Sequence, residues 1–402
     1  MHTGVRHGRR TPRARVSGSI PSDDNLSAAT ALRTAPSAPE SAYKVRLCAQ
    51  FMAATAVLAE QAPDDFRRRI LARPAFVYGH EFLRWARRAK NDLKRLPDTR
   101  TTIRRLDSLL ERFAQHDFGP YEEIRHRIAA HRQPFGANYG DQLLTEAAWI
   151  DISDATVRIL ADNARTIWNE LAGAYGLPHL DGFPPLSDGL RASIAGNGFD
   201  PGPGGLVPGV GSFDSRRPDA IGIRQGGELG ERGRELVDSV RSVQVLSRLL
   251  TVVVNHEPYW RIVVAAIATE TATLVDLLYE QPARTAPEHR HAPLVEILRC
   301  EPATPGLAIL ETGVTRLDRG ALEHVRELRR SIGAHVDEGQ TVGQLMRALE
   351  TVELSAVDAV AGNCFATISE AREADLRLAM LRLIDRPILG LERVDDPPDP
   401  GY

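Results

Sequence analysis

Glu123-Ile124-Arg125-His126-Arg127-Ile128-Ala129-Ala130-His131 and Glu327-Leu328-Arg329-Arg330-Ser331-Ile332-Gly333-Ala334-His335 are two versions of one pattern: an acid, an apolar residue, an arginine, and a histidine six positions later. Arg125 to Arg329 and His131 to His335 are both separated by 204 residues. The match runs on downstream. Gln142-Leu143-Leu144 lies over Gln344-Leu345-Met346, and Asp151-Ile152-Ser153 over Glu353-Leu354-Ser355, at an offset of 202. One loop therefore differs by two residues, and the pattern is that of a duplicated unit. A lone Arg/His pair would carry little weight: of 50 basic residues only Lys44, Lys90 and Lys94 are lysines, leaving 47 arginines to fall near a histidine by chance. Two pairs at one spacing, in one context and followed by matching elements, carry more.

Outward from the repeat, both flanks read as helices. Leu47, Cys48, Phe51, Met52, Leu58 and Ala59 recur at three-to-four spacing. Phe82, Leu83, Ala86 and Ala89 form one side of Phe76–Leu96, with Arg84, Arg87, Arg88 and Lys90 largely elsewhere, and Thr101–Phe113 repeats the habit. Gly119-Pro120 restarts a helix running from Tyr121 to about His131, since proline is tolerated in a first turn. Ser153 stands where an N-cap belongs and opens a helix to Tyr175. The segment 177–227 is dense in Gly and Pro and reads as a linker, with one short amphipathic run near Leu190–Ile194. Helical periodicity returns over Leu229–Val254, Pro258–Glu280, Pro293–Cys300, Arg319–His335, Val342–Val352 and Ser355–Ile384. No strand-like alternation of useful length occurs. The expected fold class is all-α: two related helical bundles, 41–176 and 228–386, forming a pseudo-symmetric pair joined by the linker. Residues 1–40 read as a disordered tail and 387–402 as a loose one.

Composition removes several function classes. A net charge of −3 gives no overall footprint for nucleic acid, so any such contact must be local. Cys48, Cys300 and Cys364 are odd in number and far apart, without a CxxC, which fits a reducing cytoplasm and no structural metal. The basic N-terminus has no apolar core behind it, so no secretory signal is expected. The most apolar stretch, Ile262–Leu278, contains Glu270 and Asp276 and is too short to span a bilayer. Glu288-His289-Arg290-His291 offers two histidines in a Pro-flanked loop with no further ligands. The Gly-rich run at 202–211 lacks the order of a phosphate loop, and neither a GxSxG elbow nor an HExxH is present. His80-Glu81 and His256-Glu257 read as early helix positions, where glutamate complements the dipole.

The run from Ile124 to Arg132 resembles the signature of HEPN domains, an arginine followed by a commonly polar residue, several variable positions and a histidine, and Leu328–His335 is similar. The resemblance covers the motif helix and its flanking helices in each half. It implies helical bundles that pair so that two Arg/His motifs face one cleft. It also implies a metal-independent ribonuclease or RNA-binding effector of toxin or defence type, without a cofactor. Carried over by position, Arg125 and Arg329 match the motif arginine, and His131 and His335 the motif histidine. His126 takes the polar position, from which Arg330 departs. His126, Arg127, Arg132 and Arg330 are the candidate RNA-backbone contacts. Expected partners are RNA and a neutralising protein of the antitoxin type, in an intramolecular pseudo-dimer with no membrane association.

Such residues suit metal-free cleavage. An imidazole near neutrality can take the ribose 2′-OH proton, and a guanidinium can hold the phosphate as charge builds on it. Each residue also has a purely structural reading: helix-end histidines satisfying last-turn carbonyls, and arginines paired with Glu122, Glu123 or Glu327. The matching alternative for the whole chain is a non-catalytic helical scaffold or protein-interaction module. A further alternative is an all-α cofactor-binding protein with one of these histidines as ligand.

Overall fold

The computed structural model describes residues 38–125, 149, 151–195, 228–279, 293–300, 304–333 and 335–374. Every regular element among them is helical and none is a strand, as the periodicity requires of an all-α chain.

The first helix, α1 (Glu40–Glu60), carries apolar residues all the way round, and Ala42, Val45, Cys48, Met52, Ala56 and Leu58 are all buried. A helix apolar on every side belongs in the centre of a core. The second, α2 (Asp65–Leu93), opens earlier than the Phe76 expected from the apolar pattern. The Asp64 side chain accepts the Arg67 N–H at 2.8 Å, and the helix runs on through Pro74. After α3 (Arg100–Arg112), a π-helical turn over Phe113–Asp117 and a 3-10 turn over Gly119–Tyr121 lead into the helical turn Glu122–Ile124 and so to Arg125. The next described helix, α4 (Asp154–Tyr175), is capped as its sequence reads: Ser153 Oγ accepts the Thr156 N–H at 3.1 Å, and Gly176 ends it with a left-handed φ of 65°.

The front of the expected linker is folded. Leu177, Leu186, Leu190 and Ile194 are buried, α5 (Asp188–Ser193) is capped by Ser187, and Tyr259 donates its hydroxyl to the Pro184 carbonyl at 2.6 Å. In the second half, α6 (Glu228–Val253) and α7 (Tyr259–Leu278) precede the short α8 (Leu294–Arg299). Then comes α9 (Pro305–Arg316), a helix the periodicity did not suggest, although Thr304-Pro305 is a cap followed by a first-turn proline. It presses so closely on the helix that carries Thr367 that a Cβ on Gly313 would overlap the Thr367 side chain. The second motif begins in α10 (Arg319–Leu328), continues as a π-helical segment over Arg329–Gly333, and is followed by α11 (Val342–Glu350) and α12 (Leu354–Ala374).

Two sets of contacts organise these helices. In the first half α1 packs on α2 and α4, with α3 against α2 and α4; in the second, α7 packs on α6, α10 and α12. The sets meet where α1 touches α7 and α11. Arg73 of α2 crosses between them fully buried, donating to Glu270 Oε1 and Ser242 Oγ at 2.8 Å each and pairing with Asp238. Burial works against its charge, but the two carboxylates prevail and raise its pKa. Among the described residues no helix is long and apolar enough to cross a membrane.

Candidate functional site

Glu81 lies mid-way along α2, on the stripe that also presents Tyr78, Phe82 and Trp85, and is 0% exposed. A carboxylate in that position must be paired or neutral. Three groups from different parts of the chain pair it: His335 Nδ1 stands 3.2 Å from Oε1, Arg125 Nη2 is 3.9 Å from the same oxygen, and Arg84 Nη1 is 3.2 Å from Oε2. Burial pushes the Glu81 carboxyl up, but His335, Arg84 and the donating Val336 N–H together outweigh it and hold the carboxyl below its usual range. Glu81 is therefore ionised and can only accept hydrogen bonds. It follows that His335 donates from Nδ1, and in the neutral ring Nε2 is the proton-accepting nitrogen. The buried carboxylate fixes the tautomer and orientation of a histidine whose own side chain is 37% exposed.

The short stretch after His335 is tied to the first half. Buried Lys44 of α1 donates from Nζ to the Asp337 carbonyl and, at 3.2 Å, to that of Glu338, while packing 4.1 Å from the Trp85 ring centroid. Tyr78 donates to the Ile332 carbonyl at 2.8 Å, and Glu40 accepts the Val342 N–H at the start of α11. Behind Gly333 there is no space. A Cβ there would stand far inside contact distance of Thr269 Oγ1 and 3.0 Å from the Ala265 carbonyl, so the segment lies flat on α7. Cys48, beneath Glu81, is buried, and that burial, reinforced by the Glu81 charge, pushes its thiol well above its usual value. It is an inert thiol.

The two arginines of the repeat have different environments. Arg125 is 4% exposed; burial draws its pKa down against the opposing pull of Glu81 and Glu122. Arg329 instead pairs with Asp276 of α7 at 2.6 Å, beside Arg326 at 3.1 Å, and burial raises the Asp276 carboxyl despite both arginines. Arg329, in the π segment, and His335, beyond its end, serve different carboxylates, Asp276 and Glu81, one in each half. Arg330 is exposed, with Glu323 3.9 Å away. His126, Arg127, His131 and Arg132 lie outside the described residues. The structure thus brings Arg125 and His335, from different copies of the motif, to one carboxylate oxygen. Among the described residues no three His, Cys, Asp or Glu side chains gather to hold a metal.

Glu81 was not singled out by its sequence. The early-helix reading of His80-Glu81 is corrected by the start of α2 at Asp65, which makes Glu81 a mid-helix residue. The available signal was a charge inside an apolar stripe. Lys44, Arg84 and Asp276 were also missed.

Comparison with family models, curated proteins and solved structures finds no match for this chain.

Proposed function

We propose that this chain is a metal-independent endoribonuclease or RNA-binding effector of the toxin or defence type, built from two related helical bundles whose Arg/His motifs serve one site. The observation that carries the reading is the shared oxygen of Glu81, approached by Arg125 of the first motif and His335 of the second. With Nδ1 committed to Glu81, Nε2 of neutral His335 is the base that removes the ribose 2′-OH proton. The 2′ oxygen then bonds to phosphorus, the P–O5′ bond breaks, and the leaving oxygen takes a proton from a second acid. His131 is the sequence candidate for that acid. A protein partner of the antitoxin type would neutralise such an activity by covering His335.

The test compares RNA cleavage in the presence of a chelator for wild type, His335→Ala, and His131→Ala combined with His335→Ala. Loss of cleavage in both variants, with the fold retained by circular dichroism, is the expected result. Equal rates overturn the catalytic reading. A second reading, a silent helical scaffold, is favoured by the burial of Arg125, whose guanidinium is occupied by Glu81 rather than turned to an outside anion.

A further inference from the structure

Arg125 is too buried to grip a phosphate, yet the site has other guanidinium groups at its surface. Glu81, Arg84 and Arg88 stand at i, i+3 and i+7 of α2 and so share one face. Arg84 rests 4.8 Å and Arg88 5.4 Å from the centroid of the buried Trp85 ring, which spaces the two forks along that face. Arg84 also joins Glu81, as His335 does, so the fork lies beside the candidate base. One carboxylate occupies it from outside. Glu338, three residues after His335, sets Oε1 2.9 Å from Arg84 Nη2 and Oε2 4.0 Å from Arg88 Nη1, with its side chain 64% exposed.

We propose that Arg84 and Arg88 form a phosphate-binding fork for the RNA backbone at the His335 site, and that Glu338 fills it as a tethered competitor. Guanidinium forks match carboxylate and phosphate oxygens alike. Glu81 cannot leave, because it is buried and belongs to the same helix as Arg84, with His335 and Arg125 on its other oxygen. Glu338 can, because exposed ion pairs are weak and exchange against an outside anion. A phosphodiester that displaces it would lie on Arg84 and Arg88 next to His335. The charged groups facing the fork are Glu81, Glu338, His335 and Arg125, with Lys44 and Asp337 on its α1 side.

This inference rests on the RNA reading above, but its test does not require cleavage. Affinity is measured calorimetrically at low salt for inorganic pyrophosphate and for a 2′-O-methyl RNA oligonucleotide that cannot be cut. Glu338→Gln should bind both about two- to five-fold more tightly, the range expected from losing one exposed pair. Arg84→Gln should bind both about ten-fold more weakly. Arg88→Gln, at a more exposed position, repeats the weakening without touching Glu81. Unchanged affinity in Glu338→Gln, or in both arginine variants, overturns the proposal. So does a response by pyrophosphate alone, which would make the fork a site for free phosphate rather than an RNA backbone. If affinities shift as expected while RNA is never cleaved, the fork stands and the nuclease reading fails; His335-dependent cleavage with indifferent affinities gives the reverse.

Discussion

His335 Nδ1 lies 3.2 Å from Oε1 of Glu81 although 254 residues separate them, and Arg125 approaches the same oxygen. Replacing Glu81 by glutamine removes the fully buried carboxylate beside Arg125, which costs about 3 kcal/mol, the lower end for a buried pair broken on one side. The sign of the pH effect follows from the depressed carboxyl. Its contribution is present above the unfolded value of about 4.3 and is lost as pH falls through the lower folded value. Urea unfolding of wild type and Glu81→Gln should therefore show a gap at pH 7 that closes below about pH 4. A gap that widens toward acid would refute this account of Glu81.

Lys44 spans the two halves by donating to carbonyls of the segment that carries His335. Lys44→Met retains the stem on Trp85 but orphans two acceptors, at about 1–3 kcal/mol. The expected loss is near 2 kcal/mol, with faster amide exchange confined to residues 335–341 and little change in α3 or α4. Uniformly faster exchange would mean that Lys44 supports the core at large and not this segment.

Local chemistry made much of this fold legible. Ser153 and Gly176 bound α4 by caps that are written in their own residue types, and the apolar faces of α1 and α7 mark central helices. Where the apolar spacing was sparse the pattern misled: α2 opens at Asp65, well before Phe76, and α9 announces itself only by its Thr304-Pro305 start. The site was legible in part. Arg125 and His335 stand out through the repeat, but the residue that joins them does not, because its partners come from remote helices and no spacing encodes that meeting. Nor does an Arg-x5-His count foretell that residues 329–333 would adopt π geometry against α7.

Gly333 is the position where that π segment presses hardest. Gly333→Ala places a methyl against Thr269 Oγ1 and the Ala265 carbonyl, an overpacking worth about 1–3 kcal/mol. Thr269→Ala should recover part of the loss in a double-mutant cycle, since it removes one of the two obstructions. Chemical denaturation of the four proteins measures the coupling; strictly additive losses would contradict the contact.

Asp358 on α12 offers the opposite case from Glu81. Half-buried, its carboxyl is pushed up by burial to about 6. A raised folded value means stability that is full below the unfolded pKa of about 3.9 and is lost as pH rises through about 6. At pH 7 the ionised carboxylate is thus held in the fold at a cost. The full shift corresponds to about 3 kcal/mol, and partial solvent screening reduces the usable effect to about 1–2 kcal/mol. Asp358→Asn keeps the shape and removes the charge, so it should stabilise the protein by that amount at pH 7 and by almost nothing at pH 4. Urea midpoints of the two proteins across that range decide the matter: the difference must grow as pH rises. An equal difference at both ends would assign the effect to packing around the side chain instead of to its ionisation.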